Sequence, residues 1–152
     1  DANEKGISEI VKQQFEFGRT VLSGGLVPII EPEVDIKSPH KEESEKILIK
    51  VLRQHLDEIE HPIIFKLTLP SIPNFYEEFT NHPKVIRVVA LSGGYTRTEA
   101  NAELAKNLGV IASFSRALTE GLNVKQTDSE FDSVLDDAIQ TIYKASSEKS
   151  GF

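Results

Sequence analysis

The sequence predicts an α/β fold built on a parallel sheet, and three observations carry that prediction. Four short apolar runs alternate with segments of helical periodicity along the 152 residues. The runs are nearly continuous rather than alternating, the form expected of strands buried on both faces. A helical stretch separates each run from the next, which makes successive right-handed βαβ units the expected topology. Four strands make a small open sheet, or equally half of an eight-stranded barrel whose usual length is ~250 residues.

Taken in order, Ile7, Ile10, Val11, Phe15, Val21 and Leu22 follow helical spacing until Gly24-Gly25 stops the pattern. Leu26 to Glu31 reads as the first buried strand, with Pro28 tolerable only near its start or where no ladder bond is needed. Ser38-Pro39 has the form of an N-cap followed by proline at the first helical position. Ile47, Leu48, Val51, Leu52, His55, Leu56 and Ile59 then form one apolar helical face. The second strand is Ile63 to Pro70, and a short helix is expected from about Asn74 to Thr80.

Val85 to Leu91 is the third strand and ends in Ser92-Gly93-Gly94. Thr96-Arg97-Thr98-Glu99 has capping-box spacing and opens a helix to about Leu108. Gly109 to Phe114 is a fourth, weaker strand, followed by a short helical piece at Ala117 to Glu120. A second capping box, Thr127 to Glu130, opens a last helix with Phe131, Val134, Leu135, Ala138, Ile139 and Ile142 on one side. Ser146 to Phe152 reads as a polar tail.

A chain of this length buries ~68–70% of its unfolded surface, enough for one domain. A formal charge of −7 argues against non-specific nucleic-acid binding. With no cysteine there is no disulfide framework and no thiolate metal site. No apolar run approaches the ~20 residues of a membrane span, and Asp1-Ala2-Asn3-Glu4 is no signal peptide, so a cytoplasmic location is expected. The absence of any methionine suggests that the chain begins inside a longer one.

Polar residues collect where each strand meets its following loop: Glu31 and Glu33, Lys66 and Thr68, Ser92-Gly93-Gly94, and Ser115-Arg116. All lie at the carboxyl ends of a parallel sheet, where α/β proteins place their sites. Lys66 interrupts an apolar strand, so it must reach water, pair with an acid, or act as an amine. At pH 7 a lysine of pKa ~10.4 is almost wholly protonated, and desolvation or neighbouring cations are what free it as a nucleophile. Glu31 and Glu33 are two apart, which places both carboxylates on one strand face beside Lys66. The same residues also fit a plain structural ion pair. Glycine amides at Gly93 and Gly94 and the guanidinium of Arg116, with Ser115 beside it, suit a phosphate. His40, His55, His61 and His82 lack metal-ligand spacing and are expected in structural or surface roles, and the acidic helices read as solvated faces.

Four stretches in register, Val27-Pro28-Ile29-Ile30-Glu31-Pro32-Glu33, Phe65-Lys66-Leu67-Thr68-Leu69-Pro70, Leu91-Ser92-Gly93-Gly94 and Ala112 to Leu118, resemble the class I (Schiff-base) fructose-1,6-bisphosphate aldolases, bacterial form, over about Gly6 to Tyr143. The resemblance implies a (β/α)8 TIM barrel of which this chain is the carboxyl-terminal half, supplying strands five to eight. It implies that Lys66 forms the Schiff base, that Glu31 and Glu33 are the active-site acids, and that Ser92, Gly93, Gly94, Ser115 and Arg116 hold a substrate phosphate. Reversible cleavage of fructose 1,6-bisphosphate follows, with no cofactor and no metal. The implied partners are a sugar phosphate and the amino-terminal half of the barrel, in the same or a separate polypeptide. The resemblance also admits a homo-oligomer, and involves no nucleic acid and no membrane. Leu67-Thr68 departs from the animal pattern after the strand-six lysine, as Ser115 does at the phosphate arginine. The isolated chain is expected to have little or no aldolase activity. The competing readings are a non-catalytic phosphate-binding α/β module and another Schiff-base barrel enzyme such as a transaldolase.

Overall fold

The computed structural model describes residues 2–150. Its elements, in chain order, are α1 (Glu4–Ser23), β1 (Ile29–Ile30), α2 (Lys41–Glu58), β2 (Ile63–Thr68), α3 (Glu77–Thr80), β3 (Val85–Leu91), α4 (Arg97–Ala105), β4 (Val110–Ala112), α5 (Arg116–Thr119) and α6 (Asp128–Ser147). The strands form one parallel sheet in the order β1-β2-β3-β4. Sequential parallel order with a helical connection after each strand is the arrangement of part of a (β/α)8 barrel.

One face of the sheet carries the core. Ile63, Phe65 and Leu67 alternate along β2 and are almost wholly buried. Phe65 meets Phe15 of α1 edge-on and Phe79 of α3 at 4.9 Å between ring centroids. Gly18 lets α1 approach β1 closely, because a Cβ there would lie 2.9 Å from Ile30 Cδ1.

The other face departs from the expectation of strands buried on both sides. Ile29 is 48% exposed, and Ile64, Lys66, Val89 and Ile111 are only half-buried. Side chains in register on neighbouring parallel strands point the same way. Glu31, Lys66, Val89 and Ile111 thus form one row across the sheet, with Ile29, Ile64 and Arg87 in the row beneath. In a barrel this face points inward, and among the described residues nothing lies opposite it.

Several boundaries move from those the sequence predicts. The first strand is two residues rather than six, because Pro28 has no N–H to donate and offers the sheet only its carbonyl, which accepts from Ile64 N. Leu26 and Val27 are therefore exposed loop residues. Ser38 does not cap α2: its Oγ accepts from His40 N in a local turn, and the helix opens at Lys41. The first helix begins three residues before Ile7, capped by Asn3 Oδ1 on Gly6 N. The last helix runs through Ser146 and Ser147, which the sequence reading assigns to a tail. Of that tail, Gly151 and Phe152 lie outside the described residues.

Both capping boxes form. Thr96 and Thr127 accept from the N3 amides, while Glu99 and Glu130 accept from the N-cap amides. Those backbone bonds, and then the threonine hydroxyls, hold both carboxyls below the usual glutamate value of 4.5. A depressed folded-state pKa contributes stability that is present above the unfolded value and is lost as pH falls through the folded one. The carboxyl carbons of Glu99 and Glu130 should titrate by NMR with midpoints below 4.5, and midpoints at or above it would contradict the boxes.

Candidate active site

Lys66 sits in β2 with Val89 beside it in register and its side chain on the half-exposed face. Its Nζ donates to Glu31 Oε2 at 2.7 Å. The lysine side chain is 24% exposed and the glutamate 46%. Glu31 directly follows β1, so the βα crossover that makes β1 and β2 neighbours brings base and acid together. Of the three options open to this cation, pairing with an acid is realised on a face that water still reaches.

The surrounding loops are held by a few polar contacts. Thr68 is buried, and its hydroxyl accepts from Val34 N at 2.9 Å and donates to Val34 O at 3.0 Å. That clasp folds the loop after β1 across the end of β2. Beyond it, Ile36 packs on the turn after β3, where a Cβ on Gly93 would come within 2.9 Å of Ile36 Cγ2. Gly93 and Gly94 have φ of 59° and 100°, a left-handed pair that side chains disfavour. Ser92 is buried, and its carbonyl accepts from Tyr95 N to close the turn.

Ser115 and Arg116 leave β4 at the same end of the sheet, and both are exposed. Ser115 occupies the N-cap position of α5 without a side-chain capping bond. The guanidinium of Arg116 makes no hydrogen bond or ion pair among the described residues, which leaves its donor fork available. Because β3 and β4 are paired neighbours, the Ser92-Gly93-Gly94 turn and Ser115-Arg116 occupy adjacent loops. Arg87 lies on the same face as Lys66, one row toward the amino end.

Glu33 makes no hydrogen bond or ion pair with Lys66 among the described residues. Burial still alternates beyond the end of β1, with Glu31 and Glu33 exposed and Pro32 buried between them, and Glu33 is among the residues that line a cavity with Ile7, Ile10 and Ser38. That pattern agrees with both glutamates standing on the exposed side, and among the described residues only Glu31 is hydrogen-bonded to Lys66. His55 is structural, stacked on Phe15 at 5.1 Å.

Two polar features escape sequence reasoning. The first is Gln14 of α1, whose Oε1 accepts from Glu31 N at 2.7 Å and so fixes the backbone of the acid. The second is a buried ion pair at the start of α2, where sequence reasoning expects a solvated acidic face. Lys41 Nζ bonds the Glu45 carboxylate, Leu69 O at 2.8 Å and Ser71 Oγ at 3.1 Å. Glu45 Oε2 also accepts from Ser71 N at 3.0 Å, with Glu45 only 1% exposed. The network ties α2 to the segment that follows the lysine strand. Burial, and then the Glu45 charge, push the phenol of nearby Tyr76 well above its ordinary range.

No protein-family model matches the chain. Curated relatives do. The chain is 55% identical to a class 1 fructose-bisphosphate aldolase of Porphyromonas gingivalis over 145 residues, 95% of this chain and 50% of the relative. It is 51% identical to the class 1 enzyme of Clostridium acetobutylicum, covering 96% of this chain and 50% of the relative. For the Synechocystis class 1 enzyme the figures are 52% identity, 95% and 49%. Among solved structures, a fructose-bisphosphate aldolase from Plasmodium falciparum superposes with a TM-score of 0.73 over 98% of this chain and 54% of that one, at 22% identity. That likeness concerns the fold. No helix among the described residues is long and apolar enough to cross a membrane. Matched along nearly its whole length at 51–55% identity, the chain belongs to the class 1 fructose-bisphosphate aldolase family, and it spans about half the length of the curated relatives it matches.

Proposed function

We propose that this chain is the carboxyl-terminal half of an aldolase barrel and carries its Schiff-base machinery for reversible cleavage of fructose 1,6-bisphosphate to dihydroxyacetone phosphate and glyceraldehyde 3-phosphate. The observation that carries the reading is the 2.7 Å contact between Lys66 Nζ and Glu31 on the inward row of the sheet. A carboxylate at that distance can take the ammonium proton and return it where it is needed.

In the proposed sequence, Lys66 passes its proton to Glu31 and the neutral amine attacks the ketose C2. Glu31 protonates the hydroxyl of the resulting carbinolamine, which leaves as water and gives an iminium. Glu31, again a carboxylate, accepts the C4 hydroxyl proton as the C3–C4 bond breaks. The bond's electron pair neutralises the iminium as an enamine, and glyceraldehyde 3-phosphate departs. Protonation at C3 and hydrolysis of the iminium release dihydroxyacetone phosphate and restore the amine.

Gly93, Gly94, Ser115 and Arg116 are assigned to a substrate phosphate, because left-handed glycine backbone and an unengaged guanidinium sit in adjacent loops. Glu33, exposed two residues beyond Glu31, is assigned to the same site as its second acid.

The other half of the barrel is assigned the opposite wall of the site, so activity should depend on it. Assayed alone, the chain should give no measurable cleavage of fructose 1,6-bisphosphate. Adding the separately produced remaining half of the Porphyromonas gingivalis relative should restore cleavage. Full activity of the chain alone, or none with the complementary half bound, would remove this reading.

A further inference from the structure

Along β2 the half-exposed face runs Ile64, Lys66, Thr68, and only the last of these is sealed, at 1% exposure. What seals it is the loop after β1. Thr68 Oγ1 accepts from Val34 N at 2.9 Å and donates to Val34 O at 3.0 Å, so one hydroxyl engages both backbone groups of one residue. A hydroxyl can do this because it is donor and acceptor at once.

Those two bonds bear on the acids. The amide that joins Glu33 to Val34 is the one Thr68 holds, and Gln14 Oε1 accepts from Glu31 N at the other end of the same stretch. Glu31, Pro32 and Glu33 are thereby pinned at both ends, and buried Pro32 restricts the backbone between them. Thr68 stands two residues from Lys66 on the same strand face, so the lysine and the acid stretch are fixed to one rigid element.

The other branch of Thr68 faces a different loop. Thr68 is in register with Leu91, which leads directly into Ser92-Gly93-Gly94. A Cβ on Gly93 would meet Ile36 Cγ2 at 2.9 Å, Leu91 Cδ1 at 3.2 Å and Thr68 Cγ2 at 3.8 Å. The methyl of Thr68 therefore lies in the packing that backs the turn, together with Ile36 from the loop that its hydroxyl holds. Branching at Cβ stiffens χ1, which keeps the hydroxyl and the methyl on their separate loops.

We infer that Thr68 is a positioning residue with two separable duties: its hydroxyl sets the acid stretch against Lys66, and its methyl sets the Gly93 turn for a substrate phosphate. This rests on the Schiff-base reading above, in which Glu31 moves protons and the glycine turn holds phosphate. The two branches therefore control different kinetic constants. Misplacing the acids slows the chemical steps and appears in kcat, whereas loosening the turn weakens binding of the phosphate and appears in KM. A threonine that merely satisfied buried backbone groups would change stability without separating the two constants.

Two substitutions in the completed barrel, each removing one branch, test the inference. Thr68→Val keeps a side chain of the same shape and removes the hydroxyl, so kcat for fructose 1,6-bisphosphate should fall about 10- to 100-fold with KM within about twofold of wild type. Thr68→Ser keeps the hydroxyl and removes the methyl, so KM should rise about three- to tenfold, the effect of one weakened hydrogen bond, with kcat nearly unchanged. Urea unfolding of both variants keeps loss of fold apart from loss of position, and Thr68→Ser, the milder change, still decides the matter if Thr68→Val does not fold. Wild-type kcat and KM in both variants, the same constant altered in both, or a fall in kcat rather than a rise in KM for Thr68→Ser would overturn the inference. Borohydride trapping of dihydroxyacetone phosphate separates the two levels. An adduct on Lys66 alongside any of those outcomes leaves the Schiff-base reading standing. No adduct while the wild-type barrel cleaves its substrate removes that reading, and the duties of Thr68 with it.

Discussion

Lys66→Arg, tested in the completed barrel, is expected to abolish aldol cleavage while leaving the fold unaltered. Arginine retains the cation and can keep the contact with Glu31, so a purely structural ion pair would survive the change. It cannot present a neutral amine at any working pH, so no carbinolamine forms and the covalent route is lost altogether. The loss should therefore reach several orders of magnitude in kcat, whereas Glu31→Gln, which removes only proton transfer, should cost about 10²–10⁴-fold. Steady-state rates with fructose 1,6-bisphosphate, beside an unfolding curve for each variant, check both. Wild-type rates in Lys66→Arg would reduce Lys66 to an ion-pair partner.

The second large effect concerns stability and lies away from the chemistry. Glu45→Ala is expected to destabilise the chain by about 3–5 kcal/mol, the usual cost of removing one member of a buried ion pair. The charge of Lys41 would remain 8% exposed with only Leu69 O and Ser71 Oγ as partners, and Ser71 N would lose its acceptor. Glu42→Ala is the matched control. Glu42 also has a lysine four residues along, Lys46, but both side chains are about half exposed, and solvent leaves such a pair little to contribute. Urea unfolding of the two variants should separate them clearly. Similar small shifts for both would show that the Glu45 network is dispensable.

That contrast explains what was legible in the sequence and what was not. The two capping boxes are local, with donor and acceptor three residues apart, so Thr96-Glu99 and Thr127-Glu130 could be read directly and both form. The third strand, continuous from Val85 to Leu91, was legible to the residue. Lys66 and Glu31 could be paired in advance because consecutive strands of a βαβ unit are neighbours, and the 2.7 Å contact bears that out. Lys41–Glu45 and Lys46–Glu42 look alike as spacings, and only the packing of α2 against the segment after β2 buries one and exposes the other. The alternation read for Glu31, Pro32 and Glu33 persists as exposed, buried and exposed even though the ladder of β1 ends at Ile30. Burial of the strands was over-read. Val89 and Ile111 are apolar as in a closed barrel, but among the described residues their row faces no opposing strands. The hydrogen bonds of Gln14 with Glu31, Ser146 with Ala112 and Lys149 with Val110 join residues 17, 34 and 39 positions apart in sequence and leave no local signature.

Covalent trapping tests the central claim most directly. The barrel completed with the other half is incubated with dihydroxyacetone phosphate, reduced with borohydride, digested and mapped by mass spectrometry. The account predicts one stable secondary-amine adduct, on Lys66, in a stoichiometry approaching one per chain. An adduct on a different lysine, or none under conditions where the completed barrel cleaves fructose 1,6-bisphosphate, would contradict it.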